Sequence, residues 1–160
     1  MFEIFFLFLT LLGNYAFIWL SLALIVAIQQ KNRAKNIVLI VVSAIAFSFL
    51  ATSALKLLFR IPRPSYLILD TKYCPVDYSF PSGHAATSFA AALILGYFDP
   101  KRRWFYLILA SLISYSRLYL NCHHVVDVVA GAVLGVIISL FVLKISANQA
   151  EPVAKKKQAR

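Results

Sequence analysis

The sequence predicts an all-α protein, a polytopic bundle of about five transmembrane helices. Hydrophobic residues make up 61% of the chain, and its mean hydropathy of +0.79 lies far above that of an ordinary soluble domain. Apolar runs of nearly twenty residues, the length that crosses a bilayer, recur along the chain. Because strand-like alternation is absent from the sequence, helices rather than a barrel must satisfy the backbone in lipid.

Five apolar runs define the predicted spans, which cover residues 2–29, 36–59, 82–98, 104–120 and 125–143. The first run would be about 42 Å long as one helix, which exceeds the hydrocarbon core. It must tilt or kink, or else break near Gly13 and Asn14, which would leave an interfacial helix before the span and give six helices. We favour a single tilted or kinked span.

The other segments fit this arrangement. The third run, 82–98, is short and rich in Ala and Ser, so the other helices are expected to enclose it. Residues 60–81 contain four prolines and cannot form a regular helix throughout. We assign residues 1–148 to one transmembrane domain and residues 149–160 to a basic, disordered cytoplasmic tail.

The net charge of +10 does not indicate nucleic-acid binding, because the basic residues lie in short segments between apolar runs rather than on one soluble module. In the five-span arrangement most of them fall on a single side, which the positive-inside rule makes cytoplasmic. These are Lys31, Arg33, Lys35, Lys101, Arg102, Arg103, Lys144, Lys155, Lys156, Lys157 and Arg160. The sequence therefore predicts a multi-pass membrane protein, with residues 60–81 and 121–124 outside and the C-terminus in the cytoplasm.

Three polar stretches share the predicted outer side. They are residues 56–64 (KLLFRIPRP), 81–84 (PSGH) and 116–127 (SRLYLNCHHVVD). Charged groups at membrane depth are costly and usually functional. The stretches therefore mark a candidate site at that face.

The charges in these stretches indicate an anion cradle. Ser82 is a good helix N-cap, and Gly83 lets a ligand approach the backbone closely. A helix N-terminus offers free N–H groups and a partial positive charge to a phosphate. Lys56, Arg63 and Arg117 add three full positive charges, and arginine binds phosphate oxygens in bidentate fashion.

The histidines indicate the chemistry. His123 and Asp127 are four residues apart and share one face of a helix, so the carboxylate can orient the imidazole and stabilise its protonated form. Attack by His123 on phosphorus, with His84 donating a proton to the leaving oxygen, predicts phosphate-ester hydrolysis through a phosphohistidine. His124, which also lies three residues from Asp127, is interpreted as an interfacial polar residue.

A metal centre and a cofactor are not predicted. Of the six acidic residues only Asp127 lies in one of the three stretches, so no carboxylate cluster could hold Mg²⁺. Three neighbouring cations also oppose a zinc ion bound by the histidines.

The three stretches together resemble a known family. Residues 56–64 fit KxxxxxxRP, residues 81–84 are PSGH, and residues 116–127 fit SRxxxxxHxxxD. In this order they are similar to the signature motifs of the type 2 phosphatidic acid phosphatase superfamily. Many bacterial members of that family have six spans, one more than we count.

The resemblance implies a metal-independent, all-helical phosphatase of lipid phosphates or pyrophosphates. It implies that His123 is the nucleophile, His84 the general acid and Asp127 the partner of the nucleophile. The phosphate ligands it implies are Lys56, Arg63, Ser82, Gly83 and Arg117. Candidate substrates are undecaprenyl pyrophosphate, lipid A 1-phosphate, phosphatidylglycerophosphate and phosphatidic acid, and Arg60 and Lys72 are candidate extra anion contacts.

Two pairs of residues carry structural expectations. Cys74 and Cys122 both fall on the predicted outer side, where either a disulfide or two free thiols is compatible with the sequence. Gly131 and Gly135 continue the stripe of His123 and Asp127, so we expect close packing against the bundle rather than dimerisation.

Two other functions compete with phosphate hydrolysis. A lipid-phosphate binder or transporter could use the same cradle without turnover, but binding alone requires neither the paired His123 and Asp127 nor His84. A vanadate-dependent haloperoxidase has a similar site, but those enzymes are soluble.

Overall fold

A computed structural model describes residues 2–64 and 74–158. Within them are six α-helices: α1 (Phe2–Gly13), α2 (Phe17–Gln29), α3 (Ala34–Phe59), α4 (Gly83–Phe98), α5 (Arg103–Tyr119) and α6 (Val125–Gln158). Short 3₁₀ turns precede α2, α3 and α5. These residues contain no β-strand, which confirms the all-α class for the part of the chain described.

The first apolar run is broken. Helices α1 and α2 meet at a bend of 62°, and a 3₁₀ turn over Asn14–Ala16 joins them. Ala16 adopts a left-handed backbone conformation with φ of 59°, which an ordinary helix cannot continue through. The break therefore lies where the sequence allowed one, and the described residues contain six helices. That the bent pair forms the single span we favour stays a prediction.

Helix α4 lies at the centre of the bundle and contacts α2, α3, α5 and α6. Its alanines at positions 85, 86 and 90–92 are completely buried. The small side chains let the surrounding helices approach closely. The indole N–H of Trp19 in α2 also donates to the Ser88 hydroxyl at 3.1 Å. The prediction that the third apolar run is enclosed by the others is confirmed.

Helix α6 packs against α4 through its two glycines. A Cβ atom on Gly131 would overlap the carbonyl oxygen of Ser82, and one on Gly135 would overlap the carbonyl oxygen of Ala86. Only glycine allows this approach of the two backbones. The expectation that this face looks into the bundle is confirmed.

In the part of the chain that the structure describes, two helices are long and apolar enough to cross a membrane by themselves. These are α3 and the 125–147 part of α6, and the bent pair α1–α2 gives a third if it counts as one span. Large apolar side chains cover their outer surfaces, including Phe49, Leu57 and Leu140. The surface therefore suits lipid rather than water. The total of five spans stays a prediction.

The last helix continues to Gln158. The backbone of the segment predicted to be a disordered tail, 149–160, is thus helical as far as that residue. The division into a domain over 1–148 and a tail after it stays a prediction.

Candidate active site

The three polar stretches come together at one end of the bundle. Lys56 is in the last turn of α3 and Arg117 in the last turn of α5, while α4 and α6 begin at the same end. The backbone N–H of Ser82 donates to the carbonyl oxygen of Asp127 at 2.9 Å and joins the starts of α4 and α6. Segments that are distant in sequence thereby form one site.

His123 is held at both ring nitrogens. Its Nδ1 lies 3.4 Å from Oδ2 of Asp127, and its Nε2 lies 3.0 Å from an Nη of Arg63. A guanidinium can only donate, so Nε2 is the acceptor and the ring proton lies on Nδ1, facing Asp127. In this tautomer Nε2 carries the lone pair that a nucleophile needs.

The surroundings keep the His123 ring neutral. Burial is the main cause that lowers the pKa of His123 to about 4. The positive charges of Arg63 and Arg117 lower this pKa further, whereas the hydrogen bond to Asp127 opposes them. Near pH 7 the imidazole is therefore uncharged and basic at Nε2.

The Asp127 carboxylate is itself fixed by two further donors. The buried hydroxyl of Ser79 donates to Oδ2 of Asp127, and the backbone N–H of His124 donates to the same oxygen at 2.8 Å. Ser79 also lies 3.5 Å from Nδ1 of His123. The side chain of His124 is exposed, as expected for an interfacial polar residue.

Arg117 is a buried cation with spare donors. It is 1% exposed, and one Nη donates to the Thr10 hydroxyl at 2.9 Å. Its Nε and its other Nη have no hydrogen-bond partner among the described residues. Buried polar groups are nearly always paired, so this guanidinium calls for an acceptor such as a phosphate oxygen.

Lys56 and Arg63 share a carboxylate that lies outside all three motifs. Nζ of Lys56 is 3.0 Å from Oδ2 of Asp77, and Arg63 forms an ion pair with Oδ1 of the same residue. Burial opposes ionisation of this carboxyl, but the bonds from Arg63 and Lys56 outweigh it and lower the pKa of Asp77. Asp77 is therefore a charged member of the site.

The start of α4 faces the same region. The Ser82 hydroxyl accepts from the Ala85 N–H at 3.5 Å, a long N-cap contact. A Cβ atom on Gly83 would meet only the Thr52 hydroxyl at 3.7 Å, an ordinary van der Waals distance. Helix packing therefore does not require glycine at position 83, and its predicted use, close approach of a ligand to the backbone, stays a prediction.

His84 contacts the broken first run. Its Nε2 lies 3.0 Å from Oδ1 of Asn14. A Cβ atom on Gly13 would come within 2.9 Å of the His84 ring and 2.7 Å of Ile113. The bend between α1 and α2 therefore places residues 13 and 14 directly against the predicted general acid.

Cys74 and Cys122 form a disulfide, the first of the two states that the sequence left open. The bond ties the segment that precedes α4 to the residue before His123. Of the two candidate anion contacts, Arg60 donates through Nε to the carbonyl of Leu57 at 3.0 Å, at the end of its own helix. Lys72 lies outside the described residues.

No group of three or more His, Cys, Asp or Glu side chains in residues 2–64 and 74–158 could hold a metal ion. The expectation of a metal-independent site stays a prediction.

The sequence model of the PAP2 superfamily matches residues 37–151 of this chain. The chain belongs to the PAP2 superfamily. It is 34% identical over 137 residues to an undecaprenyl-diphosphatase of Sulfolobus acidocaldarius, which covers 82% of this chain and 65% of the relative. It is 33% identical over 132 residues to a decaprenylphosphoryl-5-phosphoribose phosphatase of Mycobacterium tuberculosis, which covers 81% and 72%. The chain thus spans about two thirds of the length of the archaeal protein.

A solved structure gives the same result for the fold. The crystal structure of Aquifex aeolicus LpxE is 30% identical to this chain, with a TM-score of 0.74 over 89% of this chain and 86% of that one.

The PAP2 motifs did not identify every residue of this site. Asp77 and Ser79 lie within the matched range but outside the three motifs, whereas Thr10 and Asn14 precede it. Sequence reasoning found no signal for Asp77 or Ser79. For Thr10 and Asn14 the only signal was the interruption of the first apolar run at Gly13 and Asn14.

Proposed function

We propose that this chain is an integral-membrane lipid phosphatase that hydrolyses a phosphate monoester or pyrophosphate of an envelope lipid through a phosphohistidine. The observation that carries the proposal is the state of His123. It is buried, Asp127 lies at its Nδ1, and the guanidinium of Arg63 lies at its Nε2. Around it lie three cations, one of which, Arg117, has donors without a hydrogen-bond partner among residues 2–64 and 74–158.

In the first step, Nε2 of His123 attacks phosphorus, so that a P–N bond forms and the P–O bond to the leaving group breaks. His84 donates its proton to the leaving oxygen. Asp127 stabilises the imidazolium character that develops on His123. Arg63, which lies on Nε2 in the structure, moves aside and binds the phosphoryl oxygens.

In the second step, water attacks the phosphohistidine. His84, now deprotonated, accepts the proton of that water, the P–N bond breaks, and inorganic phosphate leaves. Throughout, Lys56, Arg63 and Arg117 offset the charge of the phosphoryl oxygens. The N–H groups at Ser82 and Gly83 contribute the partial charge of the helix end. Neither step uses a metal ion.

We further propose that the chain crosses a bacterial inner membrane five times and that its site opens on the outer face. The motif ends meet at one end of the bundle. At the other end, Gln30 donates to the carbonyl of Phe98 at 2.6 Å, next to the basic turns at Lys31–Arg33 and Pro100–Arg102. The positive-inside rule makes that second end, and the C-terminus, cytoplasmic.

Undecaprenyl pyrophosphate is the substrate to test first. The two curated relatives described above are named for polyprenyl-linked phosphates. Lipid A 1-phosphate and phosphatidylglycerophosphate complete the panel. Each of these lipids presents a phosphate at the membrane surface, where the same three cations could bind it.

The test is phosphate release from this panel in the presence of EDTA. The variant His123→Ala should lose turnover on every lipid. The matched control is His124→Ala, which removes the exposed neighbouring imidazole and should keep most of the activity. Activity that survives in His123→Ala, or that EDTA removes, would contradict the mechanism. A protein that binds these lipids without turnover would be a binding or transport protein instead.

A further inference from the structure

The carboxylate of Asp77 binds Lys56 and Arg63, two of the predicted phosphate ligands, in the way that a phosphate group would. Its Oδ2 lies 3.0 Å from Nζ of Lys56, and its Oδ1 pairs with Arg63, with Nε of that residue at 3.2 Å. One carboxylate thus bridges two cations on separate segments. Phosphate oxygens satisfy the same donors by the same charge-assisted bonds.

The carboxylate stands on the open side of the cations. The side chain of Asp77 is 48% exposed, whereas those of Arg63 and Lys56 are 2% and 12% exposed. The carboxylate can turn into water, which solvates it, but its departure leaves two buried cations unpaired, a costly state unless another anion takes its place.

Lys56 and Arg63 do not depend on this carboxylate for their positions. The backbone carbonyl of Asp77 accepts from Nε of Arg63 at 2.9 Å, and that of Cys122 accepts from an Nη at 2.7 Å. The ammonium of Lys56 donates to the backbone carbonyl of Tyr78. Backbone acceptors therefore hold both cations independently of the bonds that the side chain of Asp77 adds.

The segment that carries Asp77 is anchored on both sides of it. The disulfide to Cys122 holds Cys74. The backbone N–H of Ser79 donates to the carbonyl of Ile61 at 2.7 Å, and its hydroxyl donates to Asp127. A carboxylate that rotates away is therefore kept near the cations and can return to them.

We propose that Asp77 is an internal competitor of phosphate, an affinity-determining residue that the phosphoryl group displaces on binding and that returns to drive product release. The proposal rests on the proposed function, because it takes the cradle to be the phosphate site. Three cations and two carboxylates leave one net positive charge in the site. When the phosphoryl group displaces Asp77, it pairs with both Lys56 and Arg63. The return of Asp77 to these cations then expels inorganic phosphate.

The experiment measures the dissociation constant of inorganic phosphate by calorimetry in detergent at fixed ionic strength. Asp77→Asn removes the charge with little change of shape and should bind phosphate about tenfold more tightly. Product inhibition by phosphate should strengthen by the same factor. If Asp77→Asn does not fold, Asp77→Ser replaces it in the same measurement. The matched control is Asp99→Asn, which removes a carboxylate paired with Arg102 in the turn between α4 and α5 and should leave the affinity unchanged.

The outcomes separate the two proposals. If the Asp77 variants bind phosphate more tightly than wild-type protein and Asp99→Asn does not, the result supports Asp77 as an internal competitor. Unchanged or weaker binding in those variants, with wild-type protein that binds phosphate, overturns the role of Asp77 and leaves the cradle intact. If neither wild-type protein nor the variants bind phosphate, the cradle itself is wrong and both proposals fail.

Discussion

The amide oxygen of Asn14 lies 3.0 Å from Nε2 of His84. The two residues are 70 positions apart, and the contact exists because the first apolar run breaks and turns its Gly13–Asn14 corner toward α4. Gly13 leaves room for the His84 ring that a larger residue would fill. The broken run therefore positions the predicted general acid.

We predict that Asn14→Leu impairs protonation of the leaving group. Turnover of an alkyl lipid phosphate should fall roughly tenfold or more, because a misplaced general acid cannot protonate a poor leaving group. Turnover of an aryl phosphate such as p-nitrophenyl phosphate should fall much less, since its leaving group needs little protonation. Steady-state rates on the two substrates check this. The control is Asn36→Leu, an exposed position in α3, and equal losses on both substrates would show that Asn14 serves the fold alone.

A second prediction concerns pH. Burial lowers the pKa of His123 to about 4, below its ordinary value of 6.5, so the ring should stay neutral as the pH falls from 7 to 5. Because the unfolded chain takes up the proton first, this residue should lower the free energy of unfolding as the pH falls from about 6.5 to 4. Titration of the His123 ring by ¹⁵N NMR measures this directly, with His123→Asn to assign the signal. A ring that protonates near pH 6.5 would contradict the neutral nucleophile.

Two glycines should respond oppositely to the same change. Gly131→Ala places a Cβ against the Ser82 carbonyl and 3.1 Å from the Ala85 Cβ, so overpacking should cost about 1–3 kcal/mol. Gly83→Ala meets only Thr52 at 3.7 Å and should keep the thermal midpoint while it weakens phosphate binding. Thermal unfolding in detergent and phosphate calorimetry check the pair. A stable Gly131→Ala variant would contradict the close approach of α6 to α4.

The disulfide should hold residues 74–79 over the site. Alkylation without reductant should modify neither Cys74 nor Cys122, and alkylation after reduction should modify both, as intact mass will show. Cys74→Ser should lower stability by about 2–4 kcal/mol and raise the KM for lipid, because the segment with Asp77 and Ser79 loses one anchor. The double variant with Cys122→Ser should behave like the single one. Two free thiols in unreduced protein would contradict this account.

Much of this site could be predicted from the sequence because its motifs are local. Ser82, Gly83 and His84 open one helix, and the four-residue step from His123 to Asp127 puts both on one face. The enclosed α4 followed from its small residues, whereas the length of the first run and its Gly13–Asn14 pair left a break as one of two alternatives, of which we favour the single tilted or kinked span. These features depend on neighbours in the sequence.

The remaining residues depend on tertiary contacts. Asp77 meets Lys56 and Arg63, which are 21 and 14 positions away in the sequence. The sequence between them contains several prolines and has no hydrophobic periodicity from which the direction of a side chain could be predicted. Thr10 reaches Arg117 across 107 positions only because α1 packs against α5. Single polar residues in an apolar run or a loop carry no signal of such partners.

The most direct test of the central claim is to trap the phosphoryl enzyme. Wild-type protein turning over a ³²P-labelled lipid phosphate is quenched in alkali, in which phosphohistidine is stable, and the labelled peptide is identified by mass spectrometry. The account predicts label on His123, no label in His123→Ala, and normal labelling in His124→Ala. Turnover without any labelled protein, or with the label on another residue, would contradict nucleophilic attack by His123.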